Sequence, residues 1–175
     1  TEECWELVPD PDYEKPVVQP YEKVTWDIVK VSKANPDKTL PDAEFTLSQD
    51  SIPIYKGITG ADGIVKWHKI GTPEQALNSS QDIEKGTYVL SETKAPEGYI
   101  VTAQTWVVEI SAKGIKPVIK KPGGENVTDS VLKLDSQTQH YVMTIENEAI
   151  YNLPSTGGPG IFVYTIGGTL LLMAA

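Results

Sequence analysis

The chain has no arginine, two histidines and one cysteine. All fifteen basic residues are lysines, against 24 Asp and Glu, so the net charge is −9. That balance argues against nucleic acid as a partner, because phosphate contacts need clustered Lys and Arg and an acidic surface repels them. The lone Cys4 cannot build a disulfide framework or a Cys-rich zinc site. His68 and His140 are too few for a histidine metal site or triad, and their simplest place is on surface strands. A Gly-rich phosphate loop, a nucleophile elbow and a His-Glu zinc motif are all missing. No cofactor and no metal are therefore expected. Asp62-Gly63 hints at a calcium loop, but the other acidic ligands are lacking and a hairpin turn is expected there. Asn78-Ser79-Ser80 and Asn126-Val127-Thr128 match glycosylation sequons, which matter only in a eukaryotic secretory route that nothing else supports.

What is present is enough apolar material for a core. Hydrophobic residues make up 39% of the 175, and Trp, Tyr, Ile and Val are spread through the middle. This fits one domain with attached segments rather than a disordered polyanion. Residues 1–23, TEECWELVPDPDYEKPVVQPYEK, hold four prolines and seven acidic residues against two lysines. Such a stretch reads as a stiff extended linker or the end of an upstream domain. From residue 24 to 152 the apolar pattern alternates with period two. Strands are expected at 24–32, 43–48, 52–57, 63–70, 86–93, 104–112, 116–120, 131–135 and 140–148. Turns are expected at 35–37, 60–63, 94–98 and 122–125. Many short strands between Gly, Pro and Asn turns indicate an all-β, antiparallel sandwich. One helical turn is expected at 72–78, with Thr72 as cap and Pro73 at the first helical position.

Three polar residues each end an apolar row. Successive strand side chains alternate between faces. Lys30 shares a face with Trp26 and Ile28, Glu92 with Tyr88 and Leu90, and Asn147 with Tyr141, Met143 and Ile145. Burial of such groups is costly without partners. Parity alone leaves two readings open, because Val29 and Val31 also form an apolar face and each polar residue could sit at a rim.

Val29-Lys30-Val31-Ser32, Leu40-Pro41-Asp42-Ala43-Glu44-Phe45-Thr46-Leu47 and the run GTYVLSETKAPEGY from Gly86 to Tyr99 resemble the Cna B-type (SpaA-like) domain of Gram-positive pilins and surface adhesins. The resemblance covers residues 24–152. It departs at Asp42-Ala43-Glu44-Phe45, where the family usually has a small GA-x-F turn. It implies an Ig-like, prealbumin-like sandwich and a self-made isopeptide bond between Lys30 and Asn147, assisted by Glu92. The residue types suit the chemistry. A lysine amine attacks only when neutral, and apolar surroundings favour the neutral form. A protonated Glu92 would polarise the Asn147 carboxamide and help ammonia leave, and folding supplies the proximity. Asn152 is a rival acceptor by residue type, but it lies beyond the strand pattern. The reaction happens once per chain, so the resemblance implies no enzyme with turnover.

Leu153-Pro154-Ser155-Thr156-Gly157 matches the LPxTG sorting signal read by sortase. The apolar run IFVYTIGGTLLLMAA at 161–175 follows it. A membrane span needs about 20 such residues, so the run is slightly short, and a buried strand or helix is the plain alternative. The chain begins at Thr1 and stops inside that run, and both ends are expected to be cuts from a longer protein. The motif implies cleavage between Thr156 and Gly157. Thr156 is then joined to peptidoglycan or a neighbouring pilin subunit, after transient retention of the apolar run in the membrane. The expected role is a structural stalk domain on the wall of a Gram-positive bacterium. The alternative is a domain that itself binds host extracellular matrix.

Overall fold

The computed structural model describes residues 24–71 and 73–150. The expected linker 1–23 with Cys4, the rival Asn152 and the sorting segment 153–175 lie outside the described residues. Among the described residues eleven strands form two sheets: β1 Trp26–Ser32, β2 Asn35–Thr39, β3 Glu44–Gln49, β4 Ile52–Thr59, β5 Val65–Lys69, β6 Gln75–Ala76, β7 Gly86–Lys94, β8 Trp106–Ile110, β9 Val118–Lys120, β10 Leu132–Leu134 and β11 Tyr141–Asn147. The smaller sheet has the order β10-β11-β1-β2, and the larger β6-β5-β4-β3-β7-β8-β9. Each strand expected from the alternation is present. The Asp50–Ser51 corner between β3 and β4 has both residues at positive φ, 48° and 67°, the twist that tight hairpins need.

The sandwich is mostly antiparallel, with one departure from the expectation. β1 and β11 run parallel, in the register Ile28↔Met143, Lys30↔Ile145, Ser32↔Asn147. Parallel neighbours need a long crossover, and here nearly the whole domain is that crossover. Two further corrections concern local structure. The stretch 35–37, expected as a turn, belongs to β2, and the chain reverses just before it, at Lys33 and Ala34. β2 is an edge strand, where a proline is tolerated because one row of N–H groups has no ladder partner. The expected cap Thr72 lies outside the described residues, and at 73–78 no helical turn forms: Gln75–Ala76 pairs with His68–Lys69, and Leu77 N donates to Trp67 O at 2.9 Å. A single helical turn is costly to nucleate, and the open edge of β5 offers ready partners. Helical turns occur instead at Ser80–Asp82 (3-10) and Thr128–Val131 (α1).

The core fills the space between the sheets. Trp26, Ile28, Met143 and Ile145 face Phe45, Leu47, Tyr55, Trp67, Leu90 and Val108, all buried. Gly57 lies opposite Trp67 on β5, and a Cβ there would come within 2.8 Å of the indole and 2.3 Å of Val65 Cγ1. The Asp62-Gly63 stretch is the β4–β5 turn, as expected, with Gly63 N donating to Gly60 O at 2.9 Å. His68 lies on β5. His140 just precedes β11, half-buried, with Nδ1 3.2 Å from Asp27 Oδ2.

Candidate functional site

Lys30, Glu92 and Asn147 meet between the sheets. In β1 the buried row is Trp26, Ile28 and Lys30; in β7 it is Tyr88, Leu90 and Glu92; in β11 it is Met143, Ile145 and Asn147. The face that parity left undecided is therefore the inward one for all three. Because paired residues of parallel strands share a face, Lys30 opposes Ile145 and reaches along the strand toward Asn147, two residues on. Glu92 comes from the other sheet, cross-strand from Phe45 on β3.

The main chain of Lys30 is held on both of its hydrogen-bonding groups. Its N–H donates to Gly63 O at 2.9 Å and its carbonyl accepts from Leu40 N at 2.9 Å. Gly63 has φ +75°, and a Cβ on it would lie 2.7 Å from Lys30 O. Only glycine fits this corner without strain. Asp42 takes the left-handed conformation, φ 62°, at the turn where the resembling family carries a small residue. Aspartate tolerates that region better than most side chains, so the departure leaves the turn intact.

The side chains form a closed polar cluster. Lys30 and Glu92 side chains are fully buried, with Nζ 3.2 Å from Oε1. Asn147 Nδ2 donates to the same Oε1 at 2.8 Å. Glu92 Oε2 accepts from the Thr102 N–H at 2.6 Å. The Phe45 ring lies 5.6 Å from Nζ, so the amine has an apolar wall rather than water. Among the described residues neither Lys30 Nζ, which sits off the line of a hydrogen bond to Oε1, nor Asn147 Oδ1 has a hydrogen-bond partner. Trp67 Nε1, Trp106 Nε1, Ser79 Oγ and Ser80 Oγ are likewise buried without a partner among the described residues. Burial pushes the Lys30 amine below its ordinary range, with the Glu92 carboxylate opposing that shift. The arrangement can hold a nucleophilic amine and a carboxamide on one shared carboxyl oxygen.

Asn147 also lines a cleft of about 440 Å³. Its walls include Ile100, Val101, Trp106, Met143 and Ile145. Among the described residues no group of three or more His, Cys, Asp or Glu is placed to hold a metal. No helix among them is long and apolar enough to cross a membrane. Thr102 is the participant that sequence reasoning missed. Its contribution is a main-chain N–H, which carries no side-chain signal.

Two facing β-sheets with a Lys-Glu-Asn cluster buried between them define a prealbumin-like sandwich. The family model described as "SpaA: Prealbumin-like fold domain" matches residues 26–123, more than half of the chain, and the chain belongs to this family. The match stops short of β10 and β11, and so of Asn147. Solved structures with a similar fold include the iodide-soaked C-terminal fragment of the pilus adhesin SpaC from Lactobacillus rhamnosus GG. There the identity is 19% and the TM-score 0.49, over 75% of this chain and 46% of that one. The group B streptococcus pilus 2b backbone protein is 20% identical at a TM-score of 0.43, over 74% and 42%. The Bacillus anthracis TIE protein is 21% identical at 0.44, over 71% and 17%. The chain spans less than half the length of each of these. A search of curated proteins finds no match.

Proposed function

We propose that this chain is a structural stalk domain of a cell-wall-anchored pilin subunit or surface protein, stabilised by a Lys30–Asn147 isopeptide bond that Glu92 helps to form. The observation that carries the reading is the meeting of the three side chains, buried, on one carboxyl oxygen. A neutral Lys30 amine attacks Asn147 Cγ. Oε1 of Glu92 gives a proton to the carboxamide and takes one back from Nζ. The Cγ–Nδ2 bond breaks, ammonia leaves, and Glu92 ends as it began. The event is a single turnover on the chain itself, so the domain is a product of chemistry rather than an enzyme.

The topology supports a mechanical role. β1 and β11 are adjacent and parallel, so tension enters at the start of one and leaves at the end of the other, in shear. A covalent link between residues 30 and 147 would carry that load past everything between them. In this reading 24–152 is the folded unit, 1–23 a spacer, and 153–175 the sorting segment. Sortase would cut between Thr156 and Gly157 and join Thr156 to peptidoglycan or a neighbouring pilin on the surface of a Gram-positive cell.

Intact mass spectrometry tests the chemistry. The purified chain should be lighter than its sequence mass by one ammonia, and digestion should yield one peptide pair joined through Lys30 and Asn147. Glu92→Ala should fold, keep its full mass and leave both side chains free. A parent chain at full sequence mass would refute the bond. A second reading, a domain that binds host matrix, is favoured by the cleft, whose Ile100 and Val101 walls are exposed. Retention of immobilised matrix protein by the folded domain, abolished by Val101→Asp, would support it.

A further inference from the structure

The two oxygens of Glu92 have different neighbours. Oε1 faces Lys30 and Asn147, while Oε2 accepts only the Thr102 N–H among the hydrogen bonds of the described residues. At 2.6 Å this is a short bond to the carboxyl. Oε1 is the oxygen that faces both reacting nitrogens, so the proton passed between them travels through Oε1. Building on the isopeptide reading, we infer that the Thr102 peptide N–H is the positioning group of the reaction: it anchors Oε2, aims Oε1 at both reacting nitrogens, and confines proton transfer to that one oxygen.

The anchor is coupled to the last strand. Thr102 lies in the irregular stretch between the Gly98 turn and β8. Ile100 N donates to Glu148 O at 2.9 Å, next to Asn147, and Ile150 N donates to Gly98 O at 2.8 Å. Docking of β11 thus delivers Asn147 to Oε1 and fixes the stretch that carries the Thr102 N–H to Oε2. The carboxyl is oriented only when its substrate strand is seated. An undocked chain has no aligned Glu92 and stays unreacted. In bond terms nothing is added to the scheme: Nζ–Cγ forms, Cγ–Nδ2 breaks, one proton passes from Nζ to the departing nitrogen through Oε1, and ammonia is released.

The test compares two substitutions at one position. Thr102→Pro deletes the N–H; Thr102→Ala keeps it and removes the hydroxyl, whose only bond among the described residues is accepted from Gln104 N. The full chain is made by cell-free synthesis, and the loss of ammonia is followed by intact mass against time, with near-UV circular dichroism reporting the fold. Thr102→Ala should crosslink at the parental rate, and folded Thr102→Pro about tenfold or more slowly. If Thr102→Pro does not fold, the α-hydroxy analogue of threonine at position 102 replaces that one N–H by an ester oxygen and should show the same slowing. Parental speed in a folded chain lacking the N–H overturns the inference while leaving the bond in place. Slowing in Thr102→Ala equal to that in Thr102→Pro overturns it too, by assigning the effect to the side chain. A parent chain that never loses ammonia overturns both this inference and the reading beneath it.

Discussion

Two Lys–Glu pairs, whose lysines stand three residues apart, behave as opposites. Lys30 and Glu92 are sealed between the sheets with no side-chain exposure. Lys33 and Glu148 pair at the surface, each more than half exposed. The outer pair lowers the Glu148 carboxyl and raises the Lys33 amine by mutual hydrogen bonding. Water screens such a pair, and it contributes little. The inner pair is costly to desolvate, and burial pushes its amine down despite the neighbouring carboxylate. A sandwich built only for stability would place leucine at these positions. Under the proposed isopeptide reading the inner pair is a reactant held in place, while the outer one is ordinary surface.

The largest effect that tests this contrast is removal of the acceptor. Asn147→Ala should abolish the ammonia loss and destabilise the domain by about 4–5 kcal/mol, the chain-entropy value for a loop of this length. Denaturant unfolding beside the parent measures it. An unchanged midpoint would reduce the inner cluster to a buried ion pair.

Gly63→Ala comes next. The new Cβ meets Lys30 O at 2.7 Å and the backbone stays at φ +75°, so a cost of about 1–3 kcal/mol is expected, with slower crosslinking. The outer pair should keep its geometry, which a crystal structure of the variant would show.

A smaller effect is expected with pH. In Asn147→Ala the Lys30 amine stays free and buried, its folded value below that of the unfolded chain. Between the two values the unfolded chain binds the extra proton, so stability rises with pH. The variant should gain stability as pH climbs toward the ordinary lysine value of 10.5 and lose it as pH falls below that value. Lys30→Met combined with Asn147→Ala should lack that slope. The smallest change belongs to the surface: Lys33→Ala should leave the melting temperature and the extent of crosslinking unaltered.

Much of the fold was legible because alternation is a local signal. Every strand with one buried face was visible, and so were the turns at Asp62-Gly63 and 122–125. β2 was hidden, since Asn35, Pro36, Asp37 and Lys38 are exposed and carry no apolar alternation. β6 was hidden for a similar reason, being two exposed residues that pair only because β5 has an open edge. At the site, alternation could say that Lys30, Glu92 and Asn147 each share a face with apolar residues, and no more. The resemblance singled them out. Nothing in the residue order pointed to Thr102, whose contact is made by a group that almost every residue possesses.

The amino-acid sequence by itself determined a β-rich acidic chain, a set of alternating strands and three polar residues out of keeping with their rows. Tertiary structure alone decided that the first and last strands lie side by side and parallel, that the inward face is the one bearing Lys30, and that one carboxyl oxygen serves both nitrogens. The physical reason is range. Alternation is enforced by neighbours two residues away, whereas the distance between residues 30 and 147 is set by how two sheets close over a shared core.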